Sequence, residues 1–114
     1  MSWMEQDENS IAKLKYATFI DETWNEPVEI ASDSTWFVNW ADYPAIIARN
    51  GNPMAAHWLD KVDGGTYAYH IKMKAYNEGW SDSFTPHSDN TPTEHGFVSM
   101  TPATDSTYMA LWLD

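Results

Sequence analysis

From Thr66 to Tyr76 the chain alternates: Tyr67, Tyr69, Ile71 and Met73 take one parity, while His70, Lys72 and Lys74 take the other. A period of two sends these side chains to opposite faces of a strand with one face buried. Ala12 to Ile20 alternates likewise, with Leu14, Tyr16 and Thr18 set against Lys13, Lys15 and Ala17. Shorter apolar runs follow at Trp24 to Ala31, Phe37 to Ala48, Met54 to Asp60, Trp80 to Phe84, Phe97 to Met100 and Tyr108 to Leu113, and an opening strand surrounds Trp3. Turn residues separate them, notably Asp21-Glu22, Asn50-Gly51-Asn52, Asp63-Gly64-Gly65 and Asn77-Glu78-Gly79. Pro27 cannot donate to a ladder, which puts its strand at an edge. Helical periodicity is weak throughout, so the pattern predicts an all-β chain of about nine antiparallel strands.

The strands also recur. Met-Ser-Trp-Met-Glu, Ala-His-Trp-Leu-Asp and Ala-Leu-Trp-Leu-Asp place Trp3, Trp58 and Trp112 at intervals of 55 and 54 residues. Thr23-Trp24-Asn25 and Gly79-Trp80-Ser81 keep nearly the same step. A period of about 50 residues marks a repeat architecture, and a four-stranded antiparallel meander repeated at that period is a propeller blade. The expectation is a partial propeller over 1–114, with repeat 1 at about 1–55, repeat 2 at about 56–110, and the last strand, 107–114, opening the next unit. A single nine-stranded β-sandwich is the competing reading, and it gives no reason for the recurrence. Met1 and Asp114 both fall within a Trp strand. That placement leads to the expectation of a fragment, or of a unit that other chains complete, since two isolated blades leave edges unpaired.

Charge narrows the partners. Six Lys and Arg face 17 Asp and Glu, for a formal net charge of -11. Phosphate backbones are held mainly by Lys and Arg, which excludes nucleic acid as a natural partner, and an anionic membrane surface is disfavoured for the same reason. Disordered acidic chains are poor in aromatics, whereas this one carries 15% aromatic residues and seven Trp. The absence of Cys removes disulfides and thiolate metal sites. No apolar run reaches the ~18 residues of a membrane helix, and the acidic start with Glu5, Asp7 and Glu8 lacks the features of a signal peptide.

Several blocks resemble the Asp-box (BNR-repeat) sialidase-like β-propellers, in their bacterial exo-sialidase-like branch. They are Phe37-Val38-Asn39-Trp40-Ala41-Asp42-Tyr43-Pro44, Ala55-Ala56-His57-Trp58-Leu59, Gly65-Thr66-Tyr67-Ala68-Tyr69, and Pro86-His87 through Thr93-Glu94-His95-Gly96-Phe97-Val98-Ser99. The Asp-box, Ser-x-Asp-x-Gly-x-Thr-Trp, survives only in eroded form at Thr18 to Trp24 and at Ala75 to Trp80. The resemblance implies about two blades of a six-bladed propeller, a glycan as ligand, and a secreted or periplasmic setting. Three chains of two blades would close such a ring as a homotrimer.

The same resemblance implies catalysis by three arginines holding a carboxylate, a Tyr nucleophile activated by a Glu, and an Asp acid/base. Arg49 is the single Arg of the chain, and lysines lack the planar fork of a guanidinium cluster. A complete catalytic apparatus is therefore not expected here. Ligand binding remains, through the loops that a propeller presents at its central channel. Candidates are Asn39, Asp42, His57, Asp60, His87, Asp89, Glu94 and His95, with Trp40 and Tyr43 as stacking surfaces. Trp40, Tyr43 and Phe97 are otherwise read as packing between blades, and His70, on the polar parity of its strand, as surface. No pair among the His and acidic residues has zinc-site spacing, so neither metal nor cofactor is expected. The alternative function is a non-catalytic protein-interaction or structural β-repeat module.

Overall fold

The computed structural model describes residues 1–114 as eleven strands joined by turns and loops, with no α-helix. The strands are β1 (Ser2–Gln6), β2 (Ala12–Tyr16), β3 (Phe19–Ile20), β4 (Thr23–Trp24), β5 (Val28–Asp33), β6 (Trp36–Phe37), β7 (Ala45–Arg49), β8 (Asn52–Lys61), β9 (Tyr69–Ala75), β10 (Gly96–Pro102) and β11 (Tyr108–Leu113). Every sheet is antiparallel. The all-β antiparallel expectation therefore holds. No helix is long and apolar enough to cross a membrane. The chain divides into two compact units, Met1–Thr35 and Trp36–Asp114. That division falls some twenty residues before the boundary that the tryptophan spacing implies.

In the first unit, β2 sits between β1 and β5. Its alternation buries Ala12 and Leu14, joined by Ala17 and Ile30. Strand β5 is an edge, as Pro27 just before it predicts. Between β2 and β5 the chain makes the hairpin β3–β4, turned by Asp21 and Glu22 at φ of 49° and 62°. Two successive positive φ values fit the right-handed twist of a two-residue hairpin.

The second unit is built on β8, the longest strand. Strand β9 pairs along one side of it, and β6 and β7 share the other side. Asn50 and Gly51, at φ of 51° and 80°, make the tight turn from β7 to β8. Tyr69, Ile71 and Met73 point to one face with Leu59 and Phe37, as the alternation predicts. Hairpin β10–β11 forms a separate sheet, and its Val98, Met100, Tyr108, Ala110 and Trp112 close over that face. Two sheets thus enclose one core. On the opposite face of the larger sheet, Trp36 and Trp58 stack with ring centroids 5.5 Å apart. The outward parity of β11 leaves Met109, Leu111 and Leu113 uncovered.

Three expected strands are broken. Trp24 to Ala31 is interrupted at residues 25–27, and Phe37 to Ala48 at residues 38–44. Trp80 to Phe84 survives as the bridges Tyr76–Trp80 and Met73–Phe84. The recurring tryptophans also sit in different surroundings. Trp3 is half-buried and donates to Glu5, Trp58 is buried against Trp36, and Trp112 packs on the core of the second unit.

Candidate functional site

The break between β6 and β7 is an ordered loop that closes on itself. Asn39 Oδ1 accepts the backbone N–H groups of Ala41 at 2.8 Å and Asp42 at 2.7 Å, while the Asn39 N–H donates to the Asp42 carbonyl at 3.0 Å. Such Asx turns suit Asn because its short side chain mimics a backbone acceptor. The turn carries Trp40 at its tip, 92% exposed. Tyr43 and Phe97 are exposed as well. None of these three aromatics is packed away within the chain, so the expectation of burial between blades is not met inside this molecule.

Asp42 pins this loop to the core. Its carboxylate is 2% exposed, and Oδ2 accepts the Phe97 N–H at 2.9 Å. The Tyr69 hydroxyl lies 3.5 Å from the same oxygen and 2.7 Å from Glu94 Oε1. A phenol has one proton, and the shorter contact identifies Glu94 as its acceptor. Gly96 passes so close that an added Cβ would collide with Asp42 Oδ2 and stand 2.8 Å from Tyr69 Cε2. The next residue, Phe97, takes φ of 52° where the β10–β11 register shifts. A left-handed conformation costs an L-residue about 1–2 kcal/mol, and the bond to Asp42 holds it in place. Burial raises the Asp42 carboxyl above its usual range, with the nearby Glu94 charge adding to it.

Tyr69, Glu94 and Asp42 are the residue types that the sialidase resemblance invokes for catalysis. Their setting is unlike that of a nucleophile. Tyr69 is 1% exposed. Burial, then the neighbouring carboxylates, pushes its phenol well above the ordinary tyrosine range, keeping it protonated as a donor. Arg49 pairs with Asp105 at 2.7 Å beside a cavity of about 530 Å³ that Tyr76 and Tyr108 also line.

His57, on β8, lines a smaller cavity of about 200 Å³ together with Asp42, Tyr43 and Phe97. It is 2% exposed, its Nδ1 has no partner, and its remaining hydrogen bond goes to the Tyr43 backbone. Burial lowers its pKa from 6.5 to about 4. Above pH 6.5 the ring is neutral in both folded and unfolded chains and stability is unaffected. Between pH 6.5 and about 4 the unfolded chain binds the extra proton and stability falls with pH. A shift of that size amounts to roughly 3 kcal/mol. Urea midpoints measured from pH 7 to pH 4 should therefore drop steeply for the natural chain and less steeply for His57→Gln. Parallel profiles would remove His57 as a cause.

A second constellation lies along β9. The loop after Phe84 runs back beside that strand, tied by Tyr69 N–H to the Thr93 carbonyl at 3.2 Å and by Ile71 N–H to His87 Nε2 at 3.4 Å. The rings of His87 and His95 stack 4.2 Å apart and 4° from parallel, and His70 meets both edge-on. His70 is thus part of a three-histidine cluster rather than the plain surface residue its parity implied. His87 Nδ1 bonds the Asp89 carbonyl at 2.8 Å, and burial lowers the pKa of this ring. His95 is fully buried, its Nδ1 lying 3.1 Å from the carbonyl oxygens of both Tyr69 and Thr93. Its Nε2 faces Asp89 Oδ2 at 3.5 Å and Asp114 Oδ1 at 3.3 Å. The N–H and hydroxyl of Thr91 bond the Asp89 carboxylate and hold its pKa below the usual range.

Of the residues expected at a site, Asp42, His57 and Glu94 gather near Phe97, with Asn39 shaping the loop, and His87, Asp89 and His95 form the second group. Asp60 belongs to neither, since it stands on β8 opposite Trp36 and His70. Tyr69, Gly96 and Asp114 join these groups without having been singled out in the sequence. The crowding at Gly96 and the approach of Asp114 arise only once distant segments meet. Compared with protein families, with curated proteins and with solved structures, the chain matches none. The sialidase-like resemblance consequently rests on the quoted sequence blocks.

Proposed function

We propose that the second unit is a non-catalytic sugar-binding module that grips a glycan between Trp40, Tyr43 and Phe97 at the cavity beside Asp42. The observation that carries this reading is Trp40. The side chain is almost wholly solvated, yet it stands on a loop fixed by the Asn39 turn and the Asp42–Phe97 bond. An exposed aromatic on a backbone held in place offers a flat apolar face to the C–H face of a sugar. The polar groups at the cavity, Asp42 and His57, supply directional contacts of the kind that small-ligand sites use. Strained backbone at Phe97 fits a ligand clamp. The resemblance contributes the ligand class, and a ring of three chains, each of two blades, belongs to the same proposal.

Titration of ¹⁵N-labelled chain with sialylated and neutral oligosaccharides tests it. The expected result is saturable shifts at Asp42, Tyr43 and Phe97 with Kd on the order of 1 mM, weakened about tenfold by Trp40→Ala. Because Trp40 packs on nothing, that substitution leaves the fold intact. An unresponsive spectrum across the whole panel refutes sugar binding. The uncovered row Met109, Leu111 and Leu113 favours a second reading, a protein-interaction or β-repeat module. Light scattering separates the two states: three times 13.0 kDa is the mass of a closed ring, and a single 13.0 kDa species confines any binding to one chain.

A further inference from the structure

We infer that Asp89, His95 and Asp114 form a binding site for a divalent transition-metal ion of the zinc class. Their ligand atoms lie within 4.8 Å of one another. His95 Nε2 is fully buried and makes no hydrogen bond, although two carboxylate oxygens stand 3.5 and 3.3 Å away. Ligands held at about 2.1 Å around a tetrahedral zinc are separated by about 3.4 Å. The two distances from His95 Nε2, 3.5 and 3.3 Å, match such an edge.

The tautomer agrees with this assignment. The flanking oxygens at Nδ1 are carbonyl acceptors, from Tyr69 and Thr93, so Nδ1 carries the proton. In the neutral ring the lone pair then resides on Nε2, the atom that faces the two carboxylates. Metal-bound histidines commonly donate their other N–H to a backbone carbonyl, which fixes ring orientation. Asp89 is oriented in the same manner by the Thr91 hydroxyl, 2.9 Å from Oδ2. Stacked His87 covers one face of the His95 ring, and its own nitrogens are engaged by the Asp89 carbonyl and the Ile71 N–H. His87 therefore supports the site without ligating.

One imidazole and two carboxylates suit zinc, cobalt or manganese better than calcium, which prefers oxygen alone. Three protein ligands leave a fourth position for water. Nothing in the spacing of residues 89, 95 and 114 discloses the set, because the last ligand arrives from the end of β11. The metal would join the loop after Phe84 to that strand. A protonated His95 paired with both carboxylates is the competing occupant of the same geometry.

The test uses the tag-free full chain, stripped with chelator and titrated with ZnCl₂ by calorimetry alongside histidine ¹⁵N spectra. One zinc per chain is expected, with the His95 Nε2 resonance displaced. Asp114→Asn, at a half-exposed carboxylate, is expected to weaken zinc at least tenfold while leaving the apo fold unchanged. Asp89→Asn should act likewise, and His70→Gln should have little effect. Absence of saturable zinc binding overturns the inference in favour of the ion pair. Binding that Asp114→Asn and Asp89→Asn leave unchanged overturns it too, by moving the ion to other histidines.

Discussion

Leu59→Ala is expected to lower the unfolding free energy by about 4 kcal/mol, near the upper end for deleting a buried leucine. Leu59 lies on the central strand β8, directly opposite Ile71 and Phe37, and has no exposed surface. Sheets on both sides fix its surroundings, since hairpin β10–β11 closes over the same cluster. The cavity left by alanine cannot be filled by one strand shifting alone. At a urea dependence of about 2 kcal/mol per molar, the midpoint should fall by about 2 M. Leu111→Ala, on the uncovered face of β11, provides the contrast and should stay within about 0.5 kcal/mol. Equal effects at the two leucines would mean that the hairpin does not cover Leu59 in solution.

Gly96→Ala should destabilise by about 3 kcal/mol, combining overpacking with the loss of a charge-assisted hydrogen bond. The backbone at Gly96 does not need glycine for its φ, so the penalty is steric. The new methyl meets the Asp42 carboxylate and the Tyr69 ring, both buried. Asp42 must move, and the Phe97 N–H that it accepts is then left without its partner. A double-mutant cycle isolates this cause. Asp42→Ala should cost substantially less in the Gly96→Ala background than in the natural chain. Gly51→Ala is the control for backbone strain alone: its φ is 80° and nothing lies within 4 Å of an added Cβ. Additive costs for residues 42 and 96 would separate the two sites physically.

What could be read in advance was local. The alternation of Tyr69, Ile71 and Met73 against His70, Lys72 and Lys74 places the buried face of β9 correctly. Asp21-Glu22 and Asn50-Gly51 form the tight turns expected of them. The interruption of Phe37 to Ala48 was also within reach, since Asn39, Asp42 and Pro44 are turn and strand-ending residues. An apolar run of Ala, Ile and Trp concealed it. The site residues were legible as residue types rather than as partners. Glu94 and His95 are neighbours in sequence but take separate roles, one accepting from Tyr69 and the other facing Asp89 and Asp114. His70 looked solvated because strand parity describes one sheet and does not register a loop folding back along it.

The contrast between Trp40 and the stacked pair Trp36–Trp58 has an optical consequence. Two indoles are shielded from water and one is almost fully bathed in it. A small neutral quencher such as acrylamide will reach Trp40 freely and scarcely touch the buried pair. Trp24 is exposed too and shares the red edge of the emission band, so the part of that edge lost in Trp40→Ala is the reporter of the loop that Asn39 and Asp42 hold in place.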